Sequence, residues 1–189
     1  METAKETAKA TLRKLETMIA HTPSIHRPWW HWLALSLVVI VLDQITKSLI
    51  QKFFVYGESM VITSFFNLVL AFNTGAAFSF LSDAGGWQRG FFIVITLAIS
   101  IFLLWMMRKH PENRLLCAAL SLVFGGALGN LYDRVVFGHV VDFIQLHAGG
   151  HAFPAFNVAD SAITFGAGLL IMDSFRKPTV QPDSSKASR

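Results

Sequence analysis

Residues 125–160 read GGALGNLYDRVVFGHVVDFIQLHAGGHAFPAFNVAD. A nearly uncharged apolar run leads into this stretch and another leads out of it. Between them stand three carboxylates: Asp133, Asp142 and Asp160. Ionisable residues beside membrane-length apolar segments are costly and tend to be functional. The pattern predicts that Asp142 and Asp160 meet at one face of a membrane, with the rest of the chain building the walls around them.

Composition supports a membrane setting. Of 189 residues, 53% are hydrophobic and only 15% are charged, and the charges cluster. Mean hydropathy is +0.48. Residues 90–107 carry no charge and are long enough to cross a hydrocarbon core of about 30 Å. The fold class expected is an all-α polytopic membrane protein with four transmembrane helices and a small extramembrane β element on the outer side. The net charge of +4 fits basic loops at one membrane face better than a nucleic-acid patch, since no basic run is interleaved with stacking aromatics. No nucleic-acid partner is expected. Cys117 is the only cysteine, so no intramolecular disulfide can form. Its setting, LLCAALSL, reads as a buried, inert thiol.

Residues 1–27 form a polar extension, able to make a short surface helix or to stay disordered. It is not read as the start of a cleaved signal peptide, because the apolar run after it leads into DQITK rather than a small-residue cleavage site. The first span is expected at about 28–49, with Trp29, Trp30 and Trp32 at the interface. Asp43 and Lys47, four residues apart, share one helix face and can form a structural ion pair. Two short strands are expected at about 60–72 and 76–80, with a turn at 73–75. The second span is expected at 90–107 and the third at 115–132, where Gly125 and Gly129 allow close helix approach. Residues 133–154 read as a second outer loop. A fourth span starts at Asn157 and ends near Phe175, followed by a polar tail, 176–189. The domain plan is thus 1–27, 28–175 and 176–189.

Orientation follows from the basic residues. Lys5, Lys9, Arg13, Lys14 and Arg27 precede the first span; Arg108, Lys109 and Arg114 lie between the second and third; Arg176, Lys177, Lys186 and Arg189 follow the fourth. The other face has Lys47, Lys52, Arg89 and Arg134. Both termini and the central loop are therefore expected in the cytoplasm, and Asp142 and Asp160 on the outer side.

Two neighbouring carboxylates share a proton, so that one acts as base on a water while the other acts as acid toward a carbonyl. Local sequence also offers each aspartate a structural role. Asn157 reads as a helix N-cap, which places Asp160 at the third helical position, favourable for a carboxylate. Asp142 can pair with Arg134 or Lys47. Asp133 ends a helix, where a carboxylate needs a nearby cation. His139, His147 and His151 share one outer stretch without an HExxH motif, so no metal is expected. Nothing selects a Ser-Lys pair such as Ser161 with Lys47 or Lys52. Tyr132–Asp133 suggests a presenilin-type protease, but the GxGD that class needs is absent. A non-enzymatic carrier would also place Asp and Lys in the membrane, yet four spans without an internal repeat argue against one.

Five motifs now carry a resemblance: DQITK at 43–47, FNTGAAFS at 72–79, GGALGNLYDR at 125–134, VVDF at 140–143 and FNVAD at 156–160. In this order, over about residues 30–175, the chain resembles the lipoprotein signal peptidase (signal peptidase II) family. The resemblance implies a bacterial inner-membrane aspartic endopeptidase with its active site on the periplasmic side and no cofactor. The implied substrate is a prolipoprotein whose cysteine bears diacylglycerol, cut just before that cysteine, and the implied inhibitors are globomycin-type cyclic peptides. Motif by motif, Asp142 and Asp160 match the catalytic pair, while Asn73, Gly75, Asn130, Arg134 and Asn157 match the polar lining. Asp43, Lys47 and Asp133 match supporting positions. A lipid-bearing substrate would arrive laterally from the bilayer, past Phe65, Phe66, Phe72, Phe78 and Phe80. The extension before Trp29 is longer than the family core requires.

Overall fold

The computed structural model describes residues 6, 9–12, 14, 28–75 and 85–176. A 3-10 turn, Trp29–Trp32, leads into helix α1, Leu33–Phe53. A hairpin of β1 (Ser59–Thr63) and β2 (Phe66–Asn73) follows. Helices α2 (Trp87–Lys109) and α3 (Arg114–Val136) come next. Strands β3 (Val140–Ala148) and β4 (His151–Ala152) then lead to helix α4, Val158–Ser174. The strands make one antiparallel sheet in the order β1-β2-β3-β4.

Three helical segments, Trp29–Phe53, Trp87–Lys109 and Arg114–Val136, are long and apolar enough to cross a membrane. Their outward faces are apolar, as lipid contact demands: Val94, Ile101 and Phe102 on α2 are more than half exposed. Helix α4 occupies the fourth expected position. Its 17 residues rise about 25 Å, somewhat less than a hydrocarbon core.

Several boundaries differ from the sequence expectation. α1 continues to Phe53, so Asp43 and Lys47 lie within the helix body rather than near its end. α3 continues to Val136, so Asp133 and Arg134 are helical and do not open a loop. The expected outer loop, 133–154, contains the last turn of α3 and the whole of β3 and β4. The strand expected at 60–72 is a hairpin turning at Ser64 and Phe65; that expected at 76–80 lies outside the described residues, as do most of the N-terminal extension and the tail beyond Arg176.

Helix α3 is the hub, packing against α4, α1 and α2. Glycine permits the closest approaches. A Cβ on Gly125 would stand 2.8 Å from the Ser36 carbonyl oxygen of α1, and one on Gly129 would stand 2.7 Å from Asp43 Oδ2. At Gly126 a Cβ would collide with the Ala159 carbonyl of α4 and stand 2.8 Å from Ile163 Cγ1. Gly126→Ala is therefore expected to destabilise the protein by about 1–3 kcal/mol through overpacking. Gly168→Ala, with nothing within 4 Å of its Cβ, should be neutral or slightly stabilising. Thermal unfolding of the two variants in one detergent checks the contrast.

Two joints carry the helices into the sheet. Gly138 adopts φ +82°, a backbone conformation that suits glycine. It turns the chain from α3 into β3. The α3 carbonyls freed there are met by Arg89, which donates to Arg134 O at 2.8 Å and to Val135 O at 2.9 Å. At the other joint, Phe156 pairs with Ile144: its carbonyl accepts from Phe143 N (3.0 Å) and Ile144 N (2.8 Å), and its amide donates to Ile144 O at 3.0 Å. This bridge folds the start of α4 back onto β3.

Candidate active site

Asp142 and Asp160 come from different elements and line one cavity of about 660 Å³. Asp142 is fixed by sheet register. It stands opposite Ala71 in β2, with Asn73 opposite Val140. Val140 to Phe143 are all buried, so β3 is anchored on both sides of the carboxylate. Asp160 is fixed by a helix cap. Asn157 Oδ1 accepts from Asp160 N at 2.9 Å, and Asp160 Oδ2 accepts from Asn157 N at 3.3 Å. This reciprocal capping box orients the Asp160 side chain at the first turn of α4.

Asparagine amides join the two carboxylates. Asn157 is fully buried. Its Nδ2 donates to Asp142 Oδ1 at 2.7 Å, to Asn130 Oδ1 at 3.2 Å and to Val141 O at 3.2 Å. Asn130 Nδ2 donates to Asp160 Oδ1 at 2.8 Å, and Asn73 Nδ2 donates to Asp142 Oδ2 at 3.2 Å. Burial pushes the Asp142 carboxyl up to about 7, and the charge of Asp160 adds to the rise. The amide donors Asn73 and Asn157 and the Lys47 charge oppose it. Asp142 thus keeps its proton far above the usual carboxylate range, as expected for a desolvated acid facing another.

Below the pair lies a buried charged layer. Lys47 Nζ is 2.8 Å from Asp43 Oδ2 and 2.8 Å from Asp133 Oδ2, and all three side chains are 1% exposed or less. Lys47 also donates to Asn130 Oδ1 at 2.9 Å. The expected Asp43–Lys47 pair is therefore a triad, and Asp133 finds its cation in Lys47. Each carboxylate also secures backbone. Asp43 Oδ1 accepts from Ala159 N at 2.9 Å, capping α4 from α1. Asp133 Oδ2 accepts from Val141 N at 3.2 Å, tying β3 to α3. The pairing of Asp142 with Lys47 or Arg134, weighed from sequence, gives way to amide partners.

The remaining expected residues sit at the rim. Arg134 Nη2 donates to Gly75 O at 2.8 Å, Gly75 N donates to Asn73 Oδ1 at 3.0 Å, and the Arg134 guanidinium lies 5.0 Å from the Phe92 ring centroid. Phe72 lines the cavity, and Phe78 and Phe80 lie outside the described residues. Two of the histidines weighed from sequence have separate partners: His139 lies tilted against Phe72, ring centroids 4.1 Å apart, and His147 shares a hydrogen bond with Asn67. Among the described residues no three His, Cys, Asp or Glu side chains are placed to hold a metal.

Sequence reasoning missed Gln44 and one wall of the cavity. Gln44 Nε2 donates to Asp133 Oδ1 at 2.9 Å and to Asp43 Oδ2 at 3.2 Å. An uncharged amide beside Asp43 inside an apolar helix was the available signal. The wall is formed by Phe153 to Phe156 with Ile163, Thr164 and Phe165 of α4. Its phenylalanines at 153 and 156 belong to a stretch outside the expected spans and strands.

The sequence model of a family described as signal peptidase (SPase) II matches residues 35–176. The chain belongs to the signal peptidase II family. It is 56% identical over 146 residues to a lipoprotein signal peptidase of Ralstonia nicotianae, covering 77% of this chain and 84% of that one. A lipoprotein signal peptidase of Janthinobacterium sp. (strain Marseille) is 54% identical over 146 residues, 77% of this chain and 88% of its own length. Two solved structures, each described as a bacterial membrane enzyme determined by the in meso method, superpose well. The one at 2.3 Å resolution gives a TM-score of 0.70 with 36% identity, covering 80% of this chain and 94% of that chain. The one at 1.9 Å gives 0.71 with 35% identity, covering 82% and 99%. The matched residues 35–176 include the cavity aspartates and the whole triad. Membership in the signal peptidase II family makes the chain a protease.

Proposed function

We propose that this chain is a membrane aspartic endopeptidase that removes the signal peptide from diacylglyceryl-modified prolipoproteins. It cuts just before the lipidated cysteine, with Asp142 and Asp160 as the acid/base pair and water as the nucleophile. Family membership supports the removal of signal peptides from prolipoproteins. The observation that carries the aspartic mechanism is the single cavity lined by both carboxylates and bridged by Asn157.

In this reading the pair holds one proton. The ionised carboxylate takes a proton from water as the oxygen attacks the scissile carbonyl carbon. The neutral carboxyl donates its proton to the carbonyl oxygen. The tetrahedral intermediate then collapses, the C–N bond breaks and the leaving amine takes a proton from the pair. Asn130 and Asn157 keep the two carboxyls in register, and Arg134, Asn73 and Gly75 line the rim. Asp43, Lys47 and Asp133 support the floor. A globomycin-type cyclic peptide would occupy the same cavity.

The membrane arrangement is part of the proposal. Helix α4 acts as a short fourth span, packed along α3. The sheet and cavity face the periplasm, and both termini lie in the cytoplasm of a bacterium, with the protein in its inner membrane. The bias of Lys and Arg toward one face supports this orientation. Residues 28–175 form the peptidase domain, between a polar extension (1–27) and a polar tail (176–189).

The cavity wall favours lipid-guided access. Phe165, 72% exposed, and Phe153, 50% exposed, line it. Each buried acyl CH₂ contributes about 0.8 kcal/mol, so a diacylglyceryl group confines the scissile bond to the depth of the aspartates. An unmodified precursor keeps the same peptide bond and loses that position. The kcat/KM of one precursor peptide with and without its lipid, in the same detergent, is expected to fall at least about a hundredfold when the lipid is absent. Similar values would reject the requirement for lipid.

A further inference from the structure

The end of the molecule away from the aspartates carries a second concave surface. Helices α2 and α3 are joined through residues 110–113, so the Lys109 end of α2 lies beside the start of α3. The 23 residues of α3 rise about 35 Å. Asn130, in the fifth turn of α3, stands about 24 Å along the helix from its start, so most of a hydrocarbon core separates Lys109 from Asn130 and the aspartates. Asn113 Nδ2 donates to Asp173 Oδ2 at 2.9 Å, fastening the far end of α4 at the same level.

The last turns of α2 form a groove of about 410 Å³ lined by Ile101, Leu104, Trp105, Arg108 and Lys109. Ile101 is 69% exposed and Trp105 51%, so the groove opens where lipid tails lie. Each cation at its rim is held against an indole. The Arg108 guanidinium is 5.5 Å from the Trp29 ring centroid, and Lys109 Nζ is 4.9 Å from that of Trp105. Helix α2 contains no acidic residue. Among the described residues neither cation has an ion-pair partner.

Two indole-held cations above an aliphatic groove complement a molecule with a phosphate at one end and hydrocarbon tails at the other. We propose that this groove binds one acidic phospholipid, with its phosphodiester at Arg108 and Lys109 and an acyl chain along Ile101, Leu104 and Trp105. Charge selects the acidic class. A zwitterionic headgroup would bring its own ammonium beside two cations, with no acidic side chain on α2 to receive it. Bound there, the lipid holds the end of α2 against Trp29 and the helical layer. The site is remote from Asp142 and Asp160, so it stands or falls independently of the proteolytic mechanism.

Native mass spectrometry of the full chain tests it. Phosphatidylglycerol and phosphatidylcholine with identical acyl chains are compared, alongside thermal unfolding in the same detergent. The expected result is one retained phosphatidylglycerol, favoured over phosphatidylcholine by about tenfold or more, which raises Tm. Inorganic phosphate at millimolar concentration should neither displace the lipid nor raise Tm. Arg108→Gln/Lys109→Gln should lower phosphatidylglycerol affinity about tenfold or more, with Tm in phosphatidylcholine and cleavage unchanged. Lys52→Gln is the control, because Lys52 also rests on a ring, 5.6 Å from that of Phe53, but lines neither this groove nor the aspartate cavity. It should leave retention unchanged. Equal retention of both lipids by the wild type overturns the site. So does phosphatidylglycerol binding that survives in the double variant, or that falls equally in Lys52→Gln. Displacement by inorganic phosphate would mean a free-anion site and would also overturn it. Should the double variant fail to fold, the wild-type lipid and phosphate arms still decide.

Discussion

Asp142→Asn and Asp160→Asn are each expected to lower kcat/KM by about 10²–10⁴-fold, the usual contribution of general acid–base catalysis, while the protein stays folded. Each change preserves side-chain shape and removes one member of the pair. Their stability effects should differ. Asp142 is held by two side-chain amides, at Oδ1 and Oδ2, and an asparagine in its place can keep its carbonyl toward Asn157. Because the Asp142 carboxyl is pushed up to about 7, the folded protein binds its proton more tightly than the unfolded chain. That stabilisation is complete below the ordinary carboxylate pKa and is lost as pH rises through about 7. At pH above that point the Asp142→Asn variant should be as stable as the wild type or more so. Asp160→Asn disturbs the capping box, which should cost about 0.5–2 kcal/mol. Turnover above roughly a tenth of wild type in either folded variant contradicts the assignment, given the size of acid–base effects.

Lys47→Met is expected to cost about 3–5 kcal/mol of stability, the usual penalty for stranding buried charge. It leaves two fully buried carboxylates, Asp43 and Asp133, without their cation. A simple Asp43–Lys47 pair would predict that Asp43→Ala/Lys47→Met recovers stability. The triad predicts that it does not, because Asp133 remains charged and the Ala159 amide loses its acceptor. Recovery requires Asp43→Asn/Lys47→Met/Asp133→Asn, which keeps an acceptor for Ala159 and for Val141. Thermal unfolding of the three variants separates the cases: full recovery in the double variant would show that Asp133 does not depend on Lys47. Activity reports a different contact. Lys47 donates to Asn130, and Asn130 donates to Asp160, so the triple variant should regain stability more completely than turnover.

The helices were legible because a membrane leaves a coarse signal. Long uncharged runs, tryptophans at an interface and basic clusters at the ends place α1, α2 and α3 to within a few residues. Gly125 and Gly129 announced the close approach of α1 to α3 by their spacing. The capping box at Asn157 and Asp160 was also legible, since it depends only on local sequence. The hairpin turn at Ser64 and Phe65 was not. It contains no glycine, proline or asparagine, and relies partly on the Thr63 hydroxyl accepting the Phe65 amide at 3.4 Å. The triad was legible only in part, because Lys47 and Asp133 are far apart in sequence and meet only when α3 packs on α1. The same limit hid the Phe156–Ile144 bridge. The meeting of Asp142 and Asp160 was expected from the sequence, but their spacing along the chain could not show how it is made.

The claim that Asp142 and Asp160 work as one acid/base pair is tested most directly by the pH dependence of kcat/KM. The assay uses one lipidated precursor peptide in a fixed detergent, with controls for retained fold. The pair needs one proton to donate to the carbonyl oxygen and one ionised carboxylate to receive a proton from water. With the Asp142 carboxyl raised to about 7, the singly protonated pair persists to near neutrality. Activity should therefore fall as pH rises through about 7, and fall again in acid once both carboxyls are protonated. An activity that stays level or climbs as pH rises well past about 7 would show that no carboxyl proton is needed, and would contradict the account.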